Sequence, residues 1–281
     1  MVKISVRRRW SPLDGIKYAA LGADGVEANY AKGFDEASGL GFVAELDNLR
    51  HLSVISTKAM DLTPIAECAK LESLELTIPG RRVGPIQLGQ LASLRALSLS
   101  PASLVSDLSA LQRLTKLRLD GWRVDSLEDL ASLTNLSELA LYSAGVLTSL
   151  AGVQSMTSLL SLEVYGAVRL ATIGDLASGP KLVKLELEKT KRVADWERLG
   201  TLREVKWLGL EDVGVIPTLS FVRSFDSLES LFVTGQSRIG DGQIGFLAEI
   251  STLRRVSIAQ QPGLDISPDE LRRRLRRRSR K

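Results

Sequence analysis

The chain has 281 residues, 44% of them apolar and 25% charged, a composition that supports a sizeable globular core and excludes collagen-like and charge-dominated disordered classes. No stretch approaches the roughly 18 consecutive apolar residues of a membrane span, and the charged start MVKISVRRRWSPLDG has no apolar segment behind it, so the expectation is a cytoplasmic protein without a spanning helix. The formal charge of +4 conceals two parts: the last ten residues, RRRLRRRSRK, hold 8 of the 37 basic residues and no acidic one, which leaves 29 basic against 33 acidic residues, or −4, in the rest. Cys68 is the single cysteine and His51 the single histidine. An internal disulfide is thereby excluded, and no Cys- or His-rich metal site can be assembled. No catalytic residue, cofactor or metal is expected.

In chain order, residues 1–48 alternate apolar side chains at Ile4 and Val6, at Ile16 and Tyr18, and at Val26, Ala28 and Tyr30. That period of two predicts an N-terminal β cap leading into a first return arm, LGFVAEL. From Leu49 onward the wording L-x-x-L-x-L restarts at Leu49, Leu71, Leu94, Leu114, Leu136, Leu159, Leu182, Val205, Leu228 and Leu253. Self-similarity at such a period marks a solenoid. Within each unit the alternating L-x-L predicts a short strand, and the apolar row that follows it steps by three, as in Val124, Leu127, Leu130, Leu133. Three-step spacing suits a 3₁₀ turn. Cys68 falls in one such row, Ile65, Cys68, Leu71, and reads as a small core hydrophobe. GDGQIG at 240–245 matches G-x-G-x-x-G, but GQSRI separates it from the strand expected around Leu231 and Val233 and Ile244 belongs to a three-step row, so it reads as a glycine-rich turn. SPDE at 267–270 places Ser267 as N-cap of a terminal helix carrying Leu271 and Leu275.

Ten units in phase resemble the leucine-rich-repeat family, in its short bacterial-type and SDS22-like classes of about 22 residues per repeat. The resemblance implies an α/β solenoid: a horseshoe with a concave parallel β-sheet and convex arms of 3₁₀ or short helix. Three parts follow, an N-terminal β cap with the first return arm (1–48), ten leucine-rich repeats (49–261), and a C-terminal capping helix with a basic tail (262–281). One departure stands out. The family usually has Asn three residues after the last strand leucine, and here the slots hold Thr57, Pro79, Ala102, Trp122, Ala144, Ala167, Thr190, Val213, Gln236 and Gln261. Backbone groups buried in those turns must find other partners.

The residues between the leucines face solvent and stack into columns. In repeats five to nine those columns gather Tyr142, Tyr165, Trp207 and Phe232 among Glu138, Glu163, Glu186, Glu188 and Glu211. Glu163 faces Glu186 and Glu188 faces Glu211, like-charge pairs that oppose stability, with partial relief from Lys184. Aromatics ringed by charge are the composition of interface hot spots. The expectation is a non-enzymatic protein-protein interaction module, of the kind an inhibitor or immunity-type protein would be. Its partner site would comprise Tyr142, Glu163, Tyr165, Glu186, Glu188, Trp207, Glu211 and Phe232, and its partner would be a protein with a basic or mixed surface. The alternative is a nucleic-acid or anionic-surface binder acting through Arg272, Arg273, Arg274, Arg276, Arg277, Arg278, Arg280 and Lys281. A monomer is expected, with head-to-tail association through the tail as a variant.

Overall fold

The computed structural model describes residues 1–79, 87–104 and 108–278, which fall into two compact units, Met1–Trp122 and Arg123–Lys281. In the first unit β1 (Lys3–Val6), β2 (Gly25–Asn29), β3 (His51–Ile55), β4 (Ser73–Thr77), β5 (Ala96–Ser100) and β6 (Lys116–Asp120) lie side by side in that order, all parallel. In the second, β7 (Glu138–Tyr142), β8 (Ser161–Tyr165), β9 (Lys184–Glu188), β10 (Trp207–Glu211), β12 (Ser230–Thr234) and β14 (Arg255–Ile258) do the same. Two short strands in the return arms, β11 (Val215–Ile216) and β13 (Arg238–Ile239), form a separate parallel pair.

Apart from β11 and β13, each strand from β3 onward starts two residues after the leucine or valine that opens its L-x-x-L-x-L unit. The register follows: Leu139, Leu162, Leu185, Leu208 and Leu231 pair in succession, as do Leu141, Val164, Leu187, Leu210 and Val233. All ten are at most 1% exposed. Burial of this order stabilises by ~1.5–3 kcal/mol per side chain, and no single repeat can achieve it alone. The three-step rows form 3₁₀ turns, among them Glu128–Leu130, Val153–Ser155, Gly174–Ser178, Trp196–Thr201 and Gly245–Glu249. Their i to i+3 bonds are regular, with Leu130 N–H donating to Leu127 O at 2.9 Å and Met156 N–H to Val153 O at 3.0 Å. Three residues per turn brings Leu127, Leu130 and Leu133 to one buried edge.

The N-terminal reading needs correction at Ile16 and Tyr18. These residues lie in helix α1 (Pro12–Ala20), not in a strand. Ser11 is its N-cap, Asp14 N–H donates to the Ser11 hydroxyl at 3.4 Å, and Ser11 N–H donates to the Asp14 carboxylate at 2.9 Å. With Pro12 in the first turn, this capping box fixes a helix start that a spacing of two residues cannot override. Ile16 is 66% exposed and Tyr18 5% exposed, so the two do not share a face. The first 29 residues therefore make a parallel β1–α1–β2 unit.

The turns that lack Asn use several different partners. In the second unit a main-chain ladder runs between neighbouring repeats: Thr148 N–H donates to Asp125 O, Ala171 N–H to Thr148 O and Ala194 N–H to Ala171 O, at 2.8, 3.0 and 3.2 Å. Asp195 accepts from Ile173 N–H and the Thr172 hydroxyl at 3.0 and 2.7 Å. Buried Ser237 accepts from Val213 N–H at 3.1 Å and donates to Leu210 O at 3.2 Å. Gln261 uses both ends of its amide on Ile239, accepting from N–H at 3.2 Å and donating to O at 3.0 Å. In the first unit the Glu36 carboxylate accepts from Lys58 N–H at 3.1 Å and from the Ser56 hydroxyl at 2.6 Å.

Helix α2 (Pro268–Arg278) ends the described chain, with the Ser267 hydroxyl accepting from Glu270 N–H at 3.1 Å and with Leu271 and Leu275 buried. The Cys68 thiol is buried beside Val43 O, and burial pushes its pKa up to about 11. Among the described residues no helix is long and apolar enough to cross a membrane.

Candidate partner-binding face

Strands β7 to β12 bring the eight predicted partner-site residues onto one face of the second unit's sheet. Period-two alternation sends their leucines into the core and these side chains to the open side. Tyr142 and Tyr165 occupy adjacent strands, and their rings stack with centroids 4.6 Å apart and planes 18° apart. Trp207 and Phe232 form a second pair at 5.2 Å and 34°.

Lys184 joins the two pairs. Its ammonium is ion-paired to Glu163, lies 3.4 Å from a Glu186 oxygen, and sits 4.9 Å from the Trp207 ring centroid. Burial works against its charge, yet the hydrogen bond and charge of Glu163, with Glu186 behind them, raise its pKa above the ordinary lysine value. On its other side the Glu163 carboxylate accepts from the Tyr165 hydroxyl at 3.1 Å. Burial, reinforced by Glu186 and Glu163, raises the Tyr165 pKa well above the usual phenol range, so Tyr165 remains a donor at any physiological pH. A continuous chain of contacts thus runs Tyr142, Tyr165, Glu163, Lys184, Trp207, Phe232.

The like-charge pairs read from the columns exist: Glu163 is in register with Glu186, and Glu188 with Glu211. They are more compensated than the columns imply. Lys184 stands between the first pair, and Lys189 pairs with Glu188 at 2.8 Å. Lys189 lies just past the end of β9 with a left-handed backbone, φ 56°, outside the period-two column. The expectation that every between-leucine residue faces solvent also needs correction. Ser53 and Ser230 are 6% and 1% exposed, and Gly209 is covered. A Cβ on Gly209 would lie 2.5 Å from Trp207 Cη2 and 3.3 Å from Glu186 Cγ, so the edge of the indole covers the glycine of its own strand. Trp207 and Gly209 are two apart, and that spacing alone puts them on one face; only the absent side chain signals that one covers the other.

The eight basic residues named at the C-terminus divide by environment. Arg272 is ion-paired to Asp269, and Arg273 and Arg274 share Glu270 at 3.1 and 3.0 Å. Arg278 donates to the carbonyls of Ala248, at 2.8 Å, and Leu253, closing the last repeat. Arg276 and Arg277 are exposed on the last turn of α2. Arg280 and Lys281 lie outside the described residues.

GDGQIG is a packing element. A Cβ on Gly242 would fall 2.0 Å from Gly263 O, and the N–H groups of Ile244 and Gly245 donate to the Asp265 carboxylate at 2.8 and 3.1 Å. Donors that a phosphate would need are already engaged by a carboxylate of the chain itself.

No family model matches the chain, and no curated protein does. Solved structures do. The internalin InlF of Listeria monocytogenes superposes with a TM-score of 0.65 at 20% identity, over 92% of this chain and 81% of that one. The fold is that of leucine-rich-repeat proteins. A leucine-rich-repeat protein of Leptospira interrogans gives a TM-score of 0.60 at 17% identity over 92% and 71% of the two chains. The leucine-rich-repeat domain of the type III effector XopL gives 0.51 at 20% over 65% and 67%.

Proposed function

We propose that the chain is a non-enzymatic interaction module that holds a protein partner on the open face of β7 to β12, through Tyr142, Tyr165, Trp207 and Phe232 and the carboxylates around them. The observation that carries this reading is the pairing of four large aromatics on an open sheet face, connected by a lysine–carboxylate network that fixes their orientation. Side chains held in place before binding lose little rotamer freedom on association, and Tyr and Trp bring large buried area. Glu211, which makes no ion pair among the described residues, and the partly compensated Glu188 give the face a negative margin that steers a basic or mixed surface towards it. A role in masking another protein, as an inhibitor or immunity-type protein does, fits such a face.

The test is differential capture. Partners cross-linked to the wild-type chain in its native host are compared with those held by Trp207→Ala, then the surviving candidate is titrated. Trp207→Ala should speed dissociation, and Glu186→Lys with Glu188→Lys should slow association and flatten its salt dependence. A partner bound equally well by all three forms would place the interaction elsewhere on the chain.

A further inference from the structure

Beside β14 the acidic, aromatic face gives way to a pocket of opposite charge. A cavity of ≈ 500 Å³ lies there against Phe232 and Leu275, and its rim carries Arg254, Arg255, Arg272 and Arg276. Arg255 donates through Nε to the Ser230 hydroxyl at 2.9 Å. That bond anchors the guanidinium by one nitrogen, and among the described residues its two terminal nitrogens have no hydrogen-bond acceptor. Arg272 is held by Asp269, whereas no carboxylate pairs with Arg254, Arg255 or Arg276 among the described residues. Guanidinium groups gathered round one cavity without carboxylate partners repel each other. Their planar forks match a carboxylate, which can accept two parallel hydrogen bonds from one arginine.

We propose that this pocket binds a carboxylate of the protein partner whose basic and apolar side chains rest on β7 to β12; the inference builds on the partner-binding reading above. Phe232 joins the two regions, lining the pocket while packing against Trp207. Arg255 is in register with Trp207 and Lys184, four residues short of Glu211 and Glu188, so a strand spacing of ~4.8 Å and a rise of ~3.3 Å per residue put Glu211 of β10 about 16 Å, and Glu188 of β9 about 20 Å, from Arg255 of β14. A nucleic acid is poorly matched to that pattern. Duplex DNA carries a charge every ~1.7 Å of its axis, so phosphates beside one seated in the pocket would lie over those glutamates, nearer to them than the Debye length of about 8 Å. A protein segment can change sign over such a distance. The partner therefore presents an Asp, a Glu or a terminal carboxylate about 15–20 Å from its own lysines or arginines.

Fluorescent peptides test this directly by anisotropy with the full chain at low salt: an oligoglutamate, an oligolysine, and a chimera of a lysine block followed by a glutamate block. The oligoglutamate should bind, and Arg255→Glu with Arg276→Glu should weaken it at least about tenfold. Arg277→Glu, outside the pocket, should have little effect. The chimera should bind more tightly than either parent, and the oligolysine should keep its affinity in the arginine variant. Glu186→Lys with Glu188→Lys should weaken the oligolysine and spare the oligoglutamate. An oligolysine indifferent to that reversal counts against the acidic face while the oligoglutamate arm still supports the pocket. An oligoglutamate that fails to bind, or binds the Arg255→Glu, Arg276→Glu chain as well as wild type, overturns the proposal. So does a single-stranded oligonucleotide that binds more tightly than oligoglutamate and is released by the same two reversals, which would reassign the pocket to phosphate. Arg255 and Arg276 are both exposed, and unchanged far-ultraviolet circular dichroism and melting of each variant verify the fold.

Discussion

Trp207 reaches its position because the residue two places on has no side chain. Gly209→Ala would drive a methyl group to 2.5 Å from the indole, and since the ring borders solvent it can move where a core side chain could not. The expected outcome is a shifted tryptophan emission and weaker partner binding, with a stability change of about 1 kcal/mol or less; an emission spectrum identical to wild type would show that the ring does not lie over Gly209. Cys68 gives the opposite kind of residue-level prediction. Burial holds its thiol at about 11, against an unfolded value of about 8.5. Because the folded pKa is the higher one, its contribution to stability is complete below pH about 8.5 and declines as pH rises towards 11. A thiol reagent at neutral pH should label Cys68 only as fast as the chain opens. Fast stoichiometric labelling of the native protein would contradict its place in the core.

At the scale of elements, α1 shows where a strand signal and a cap signal conflict and the cap prevails. SPLD at 11–14 has the same form as SPDE at 267–270; the second identifies a helix in the sequence, whereas the first is hidden by chance alternation at Ile16 and Tyr18. Ser11→Ala should cost about 1 kcal/mol, measurable in urea. The hydrogen bond from Ser11 is the main cause that lowers the Asp14 pKa, with burial opposing it. A lowered folded value means that the box stabilises α1 fully above the unfolded carboxylate value of about 3.9 and loses that effect as pH falls through the folded value. Acid titration of Ser11→Ala and wild type should therefore draw their stabilities together as pH falls below the unfolded carboxylate value. The ten repeat strands from β3 to β14 were legible because each begins at a fixed offset from its leucine or valine, whereas β11 and β13, in the return arms, follow no such offset. The arginine pocket was not, because α2 and β14 are joined by no repeating pattern.

For the molecule as a whole, stability is distributed among neighbouring repeats, each covering the next. Leu139→Ala and Leu185→Ala remove fully buried side chains from successive parts of the second unit, and each should cost ~2–5 kcal/mol in a denaturant melt. Neutrality of both would mean that the inward register is wrong. The same mutants leave the open face chemically intact, so at temperatures where they remain folded they should bind a partner as wild type does. Core and recognition surface are encoded in alternate letters of the same strands. That is why the fold, written in repeated leucines, was legible in the sequence, while the site, written in letters that never repeat, was visible only as a column of types. Which neighbours Lys184 and Gly209 touch depends on side-chain rotamers that no spacing reveals.

The varied turn partners limit how this scaffold can be rearranged. Where a repeat protein uses the same asparagine in every turn, one copy can stand in for another. Here Asp195, Ser237, Gln261 and Glu36 each satisfy the main chain of one particular neighbour, and of these only the Asp195 role recurs, in Asp265, which accepts from Ile244 N–H as Asp195 does from Ile173 N–H. Excising or duplicating a single repeat would leave a donor or acceptor of the adjoining one buried and unmatched. The chain can therefore change by substitution on its open face far more readily than by gain or loss of whole repeats, and its modules are not interchangeable.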